Sequence, residues 1–275
     1  MVSTPPALQL YTLREQIAAG SRKDVLRAVA SFGYGAVEPY DVLTDPEQQR
    51  ADLDEVGLAA SSVHAKATEY DAEASGVDIE EFFKGARVLG ADTVIVPWAD
   101  PARFADRESI TTLARYLNES RAKAADYGLR IGYHNHWFEL ESSMGGTTGL
   151  EVLTDALDPE IILEVDTYWA AVGGQAKDTD GPGSSVPALL RRLGDRVRYL
   201  HVKDGPIGTK ADMMTAVGGG RMPVADILAA APSAEWHIVE LDRCDTDMVT
   251  AVRESLEWLA ANGLATPVHP ATGQA

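Results

Sequence analysis

One local pattern recurs along the chain: an amphipathic stretch, a glycine, then a short apolar run. Ser21-Arg-Lys-Asp24 opens a stretch in which Val25, Leu26, Val29 and Phe32 share a helical face, and Gly33 closes it. Ser21 suits the N-cap and Asp24 the first turn, where a carboxylate meets the positive end of the helix. Glu47–Val56 before Gly57, Ile79–Leu89 before Gly90 and Arg107–Tyr127 before Gly128 repeat the arrangement. A glycine just past a helix supplies the left-handed conformation that ends it. The apolar runs Tyr34–Glu38, Leu58–His64, Ala91–Val96 and Leu129–Asn135 follow these glycines and read as strands. Further on, Gly149–Leu157, Ser185–Leu193, Val224–Ala231 and Thr246–Ala261 read as helices. Leu8–Tyr11 is the first strand, and with it eight strands alternate with eight helices.

Strict alternation predicts a parallel sheet with right-handed crossovers. Eight units in this length fit an α/β fold closed into a (β/α)8 TIM barrel better than an open doubly wound sheet. No linker or low-complexity tract divides the chain, so residues 1–265 are expected to form one domain and 266–275 a frayed tail.

The last four runs end in polar residues. They read Ile131-Gly-Tyr-His134-Asn135-His136, Ile161-Ile-Leu-Glu164-Val-Asp166, Val197-Arg-Tyr-Leu-His201-Val-Lys203-Asp204 and Trp236-His-Ile-Val-Glu240-Leu-Asp242. Buried strands do not ordinarily end in Glu, Asp and His. In a (β/α)8 barrel the carboxyl ends of the strands carry the chemistry. Gln9, Glu38, His64 and Trp98 end the earlier runs and join the set as substrate-contact candidates, as does Trp169.

Composition narrows the partners. Acidic side chains number 42 against 24 basic ones, a net charge of −18, which repels phosphate backbones and anionic lipid. Nucleic acid and membrane are therefore not expected partners, whereas a small-molecule carbohydrate or cyclitol is. The single cysteine, Cys244, fits a reducing compartment, and the first residues lack a signal-peptide pattern, so the expected location is cytoplasmic. A homo-oligomer or a partner subunit remains open.

Residues two apart on a strand share a face. His134 and His136 pair in this way, as do Glu164 and Asp166, and His201 and Lys203. Carboxylates with imidazoles and no thiolates suit Mn²⁺, Mg²⁺, Co²⁺ or Zn²⁺ in a catalytic rather than a structural site. Such an ion polarises a sugar carbonyl and stabilises an enediolate, while a nearby carboxylate moves the proton. Each candidate also has a structural reading. Asp166 can cap the helix that follows, Glu240 can pair with Lys203, His201 can be a hydrogen-bonded core histidine, and one of His134 and His136 can be structural. Glu164 is expected one layer deeper, as polar support. Gly218-Gly-Gly220 lacks the P-loop spacing and reads as a flexible loop. Lys210, Asp212 and Met213-Met214 sit in the same long connection, as a lid or a subunit contact.

Taken in order, several segments resemble the xylose isomerase-like TIM barrel superfamily of sugar isomerases and epimerases. They are Leu8-Gln-Leu-Tyr-Thr-Leu-Arg14, Ser62-Val-His64, Tyr133-His-Asn-His-Trp-Phe-Glu139, Leu163-Glu-Val-Asp-Thr-Tyr-Trp169, His201-Val-Lys-Asp204 and Val217-Gly-Gly-Gly-Arg-Met-Pro223. The resemblance covers nearly the whole chain. It implies a divalent metal, often manganese, with Asp166, His201 and Glu240 as ligands from strands six to eight. The epimerases usually place a glutamate on strand five as ligand and base; here that position is His134. Glu139, further along the loop, is then a candidate second base beside Glu240. The His-Asn-His ending is similar to that of inosose dehydratases and keto-sugar lyases, which implies His136 as a general acid. Lys203 is a further catalytic candidate. The leading expectation is an isomerase or epimerase, with a lyase or dehydratase acting on a 3-keto-sugar or inosose as the alternative. Endonuclease IV-like DNA repair enzymes share the barrel and are a remote alternative, as is a non-catalytic subunit.

Overall fold

The computed structural model describes residues 6–66 and 78–268. His269 and most of the expected tail lie outside them, although Val268 is described and donates its N–H to Gly33 O at 2.8 Å.

Nine parallel strands form a nearly closed barrel with helices between them. They are β1 Pro6–Gln9, β2 Ala36–Glu38, β3 Ala59–Ala60, β4 Val63–His64, β5 Thr93–Val96, β6 Arg130–His134, β9 Ile162–Asp166, β10 Val197–Val202 and β11 Trp236–Val239. A short hairpin, β7 Ser143–Met144 with β8 Thr147–Thr148, lies outside the barrel. The expected third strand, Leu58–His64, is broken at Ser61-Ser62. Its first half pairs with β2 and its second half with β5, so the sheet order begins at β3 and ends at β4. Eight strand positions are therefore filled by nine strands, and the split one is where the barrel closes.

Side chains alternate across each strand. Leu8, Val37, Val94, Ile131, Leu163, Val165, Leu200 and Val239 face the helices in the outer core. Ala7, Ala36, Ile95, Ile162, Tyr199 and Ile238 form a separate apolar plug inside the barrel. At Gly132 a Cβ would collide with Ile95 and Ile162, so the narrow interior requires glycine there.

The helices follow the expected pattern with small shifts at the ends. Arg22–Phe32 is capped by Ser21, and Ile79–Leu89 ends at Gly90 with φ 76°. Arg107–Asp126 and Met248–Ala261 are capped by the carboxylates of Asp106 and Asp247. Among the described residues three α-helices escape the periodicity argument: Arg14–Ala19, Phe138–Glu141 and Thr167–Gly174. Among the described residues no helix is long and apolar enough to cross a membrane.

Candidate active site

Two residues beyond the apolar plug, the same inward faces turn polar. Ala7 is followed by Gln9, Ala36 by Glu38, Gly132 by His134, Ile162 by Glu164, Tyr199 by His201 and Ile238 by Glu240. His64 joins them from β4. One step further come His136, Asp166, Lys203 and Asp242. The period of two therefore places a floor of buried acids and imidazoles on the plug, with a second polar tier above it.

The floor is a continuous hydrogen-bonded network. Glu38 accepts from Gln9 Nε2 at 2.6 Å and from Ser62, and its Oε2 lies 2.8 Å from His201 Nε2 and 3.0 Å from His64 Nε2. Glu164 Oε2 is 2.7 Å from His64 Nε2 and 3.0 Å from His134 Nδ1. His201 turns its other nitrogen, Nδ1, to Glu240 Oε2 at 2.6 Å. Lys203 Nζ lies 2.8 Å from Asp166 Oδ2, 2.7 Å from Glu240 Oε2 and 2.7 Å from Asp242 Oδ2.

Burial and charge compete at every group. Burial raises the Glu240 carboxyl, but the Lys203 ammonium and His201 outweigh it and leave it well below the usual range. For Asp166 burial prevails over Lys203 and, with Glu240 adding repulsion, its carboxyl rises to about 6. Burial lowers the His64 imidazole, but Glu38 and Glu164 outweigh it and raise it to about 9. Burial and the neighbouring His201 hold His134 well below its ordinary value, and burial with Lys203 holds His136 down at about 3.

Among the described residues two sets of four donors have ligand atoms all within 4.8 Å of one another: His134, Asp166, His201 and Glu240, and, one strand step lower, His64, His134, Glu164 and His201. All of these side chains are buried. Two imidazoles with two carboxylates suit a divalent ion of the Mn²⁺ or Zn²⁺ kind. Asp166 leaves room for one. Its Oδ1 accepts the Trp169 N–H at 2.8 Å as the cap of the following helix, while its Oδ2 lies 2.8 Å from Lys203 Nζ and 3.7 Å from His134 Nε2.

Above lies a cavity of about 680 Å³ lined by Tyr11, Tyr40, Asp41, His64, Lys66, Pro97, Trp98, His134, His136, Lys203, Glu240 and Asp242. His64, Trp98, His134, His136, Lys203 and Glu240 thus border the open space. Gln9 and Glu38 do not; both are completely buried beneath His201. Trp169 is also buried, beside Trp137 and 5.6 Å from the Lys203 ammonium. Glu139 is buried behind the wall. It accepts from Tyr133 Oη at 2.9 Å and from His136 N at 3.0 Å, and burial raises its carboxyl to about 8. Sequence reasoning missed Tyr11, Tyr40, Asp41, Lys66 and Pro97, and quoted Asp242 in a polar ending without giving it a role. The signal was available: Tyr11, Tyr40 and Lys66 each stand two residues beyond a residue already singled out.

The glycine run turns away from any ligand. Asp204, 1% exposed, accepts from Gly205 N at 2.8 Å, Gly218 N at 2.9 Å, Met222 N at 3.0 Å and Gly220 N at 3.1 Å. The loop wraps this carboxylate so closely that a Cβ on Gly220 would overlap it. Lys210 pairs with Glu141 at 2.8 Å and lies over the Trp137 ring, which ties the long connection to the helix Phe138–Glu141.

Residues 26–262 match the family model of the xylose isomerase-like TIM barrel, and the chain belongs to that family. No curated protein matches it. Several solved structures share the fold. A sugar phosphate isomerase/epimerase from Parabacteroides distasonis superposes with TM-score 0.74 at 21% identity, over 97% of this chain and 96% of that one. A zinc-bound IOLI protein gives TM-score 0.69 at 13% identity, over 94% and 98%. A probable 3-DHS dehydratase from Bacillus anthracis gives TM-score 0.68 at 11% identity, over 92% and 98%.

Proposed function

We propose that this xylose isomerase-like barrel is a divalent-metal-dependent enzyme that removes the proton next to the carbonyl of a sugar, keto-sugar or cyclitol, in an isomerisation or epimerisation. The observation that carries this reading is the convergence of His134, Asp166, His201 and Glu240 from four strands, with ligand atoms within 4.8 Å, on the floor of the cavity. A bound Mn²⁺, or Mg²⁺, Co²⁺ or Zn²⁺, supplies Lewis-acid polarisation of the carbonyl and stabilises negative charge on the enediolate. An ion on this set competes with Lys203 for Asp166 and Glu240, and Asp242 leaves the lysine a carboxylate outside the set. Glu240, held ionised by Lys203 and His201, is the base for the carbon-bound proton. Lys203 holds a charged donor beside the developing oxyanion.

His136 favours a second reading, elimination. Its ring lines the cavity, and its Nδ1 is buried without a partner. Kept neutral by burial and by Lys203, it gives a hydrogen bond to a leaving oxygen. Glu139 acts behind it by fixing the His136 backbone. A DNA substrate is disfavoured by the charge of −18.

The test is incubation of Mn²⁺-loaded protein in D₂O with free ketoses, 3-keto-sugars and an inosose. Deuterium entering beside the carbonyl supports the reading. Inversion with deuterium uptake and no loss of water or aglycone identifies the epimerase, and loss of water or an aglycone identifies the lyase. Absence of exchange across the panel rejects proton abstraction.

A further inference from the structure

The geometry points to a substrate class: we infer that the cavity takes an uncharged sugar or cyclitol, lying on an aromatic wall of Tyr11, Tyr40 and Trp98, and rejects phosphate esters. This rests on the sugar-active reading above and settles a question that reading leaves open.

Phosphate is recognised by unspent backbone N–H groups or by unpaired cations. In (β/α)8 barrels the usual cradle is built from the loops after strands seven and eight. Here the loop after the seventh strand position is glycine-rich but spent. The amides of Gly205, Gly218, Gly220 and Met222 all point at Asp204, within 3.1 Å. The chain's own carboxylate fills the nest that an anion would use.

Lys203 and Arg14 are committed in the same way. Lys203 contacts three carboxylates within 2.8 Å. Arg14, at the cavity edge, donates to Tyr11 O at 2.8 Å and Asp242 O at 2.9 Å and lies 4.2 Å over the Tyr11 ring. Lys66 is exposed at the rim, where Asp41 also lines the mouth. With a divalent ion bound, Asp41, Asp166, Glu240 and Asp242 offset the charge of that ion and the two lysines, and Arg14 is spent on two carbonyls and the Tyr11 ring.

The wall offers apolar contact instead. Tyr11 and Tyr40 meet edge to face at 5.4 Å, and Tyr11 is 38% exposed although aromatic. Trp98 is braced edge-on by His136 at 4.7 Å and by Phe138 at 5.0 Å. Rigid ring faces beside a polar floor suit the C–H face of a carbohydrate or an apolar substituent on it.

The experiment measures binding to Mn²⁺-loaded protein, by equilibrium dialysis, of free ketohexoses, 3-keto-glucosides and inososes against the 6-phosphates of the same ketohexoses. The best uncharged ligand is expected to bind at least about ten-fold more tightly than any phosphate ester, since misplaced like charge costs more than a kcal/mol. Excess inorganic phosphate should not displace it. Trp98→Ala should weaken the uncharged ligand, and Asp41→Lys should shift the preference toward the ester by about ten-fold. A phosphate ester that binds as tightly as the best uncharged ligand overturns the inference, and so does a panel in which no uncharged ligand binds. Uncharged binding without deuterium exchange keeps this inference and rejects proton abstraction. Exchange with a phosphate ester alone does the reverse.

Discussion

Asp166 and Asp204 are the same residue type, placed at and just beyond the upper ends of the paired strands β9 and β10, and both are essentially unexposed. Their surroundings differ. Asp204 receives four backbone N–H donors, two on each oxygen. Asp166 receives one, on Oδ1, and its other oxygen meets the Lys203 ammonium and, at 3.7 Å, His134 Nε2, with no backbone donor. A buried carboxylate surrounded by amides is satisfied by the fold alone. One with an oxygen that no backbone amide reaches, a shared cation beside it and a pKa raised to about 6 retains capacity for a ligand. The contrast separates a carboxylate that organises the chain from one that can serve chemistry, although both come from similar strand endings.

The largest effect expected from this contrast is on turnover. Glu240→Gln keeps the shape of the side chain but removes the base and a ligand charge, so the rate should fall by about 10²–10⁴-fold and metal affinity with it, while the fold is kept. Asp166→Asn should lose metal affinity as well as rate. Asp204→Asn should instead spare metal affinity and lose stability. Calorimetric metal titration beside steady-state kinetics separates these outcomes. Wild-type turnover in Glu240→Gln would remove Glu240 from the mechanism.

Metal removal is the next largest. An ion that binds only the folded protein, at a thousand times its dissociation constant, stabilises by about 4 kcal/mol. Chelation should therefore lower the melting temperature of the wild type and of Asp204→Asn alike, and leave a double variant of His134 and Asp166 to alanine unmoved. An equal shift in that double variant would place the ion elsewhere.

How much of this was legible in the sequence depended on periodicity. The inward residues of β6, β9, β10 and β11 were readable because alternation holds from Gly132 to His134 and from Ile238 to Glu240. The break at Ser61-Ser62 was not, because it reflects where a closed sheet changes partners rather than any local preference. The helix Thr167–Gly174 was missed because nearly every one of its residues is buried, so it has no polar face to give a 3.6-residue period. Gln9 and Glu38 were readable as polar endings but not as floor. Their strands end below the cavity, and only the packing of His201 above them shows it. The run at Gly218 was visible and its partner was not, since Asp204 lies fourteen residues away.

Asp204 itself predicts a smaller effect, on stability. Asn can accept on one oxygen only, and its NH₂ would face two amide donors. The cost of two lost charge-assisted bonds and a misplaced donor is about 3 kcal/mol. Gly220→Ala should destabilise by the same route, because its Cβ would overlap the Asp204 carboxylate and Gly205 N. Urea unfolding of the metal-free forms measures both. Full stability in Asp204→Asn would mean that the loop is held by something other than this carboxylate.

The smallest effect comes from a carboxylate whose partners are charged but wet. At the opposite end of the barrel Glu235 accepts from Arg130 at 2.9 and 3.1 Å and from Arg198 Nε at 2.8 Å, with its side chain 30% exposed. Partial burial raises its carboxyl, but the two arginines outweigh it and the net shift is downward. A depressed carboxyl binds its proton more weakly in the folded protein, so its contribution is present above the ordinary carboxylate range and is lost as pH falls through the lowered folded value. Glu235→Gln should therefore be less stable than wild type near neutrality, by less than about 1 kcal/mol given solvent screening, and should match it in acid. Urea titrations at neutral and acid pH check the sign. If this variant cost as much as Asp204→Asn, burial would not be what separates the two carboxylates, and the reading of Asp166 as a buried group with an oxygen that no backbone amide reaches would lose its basis.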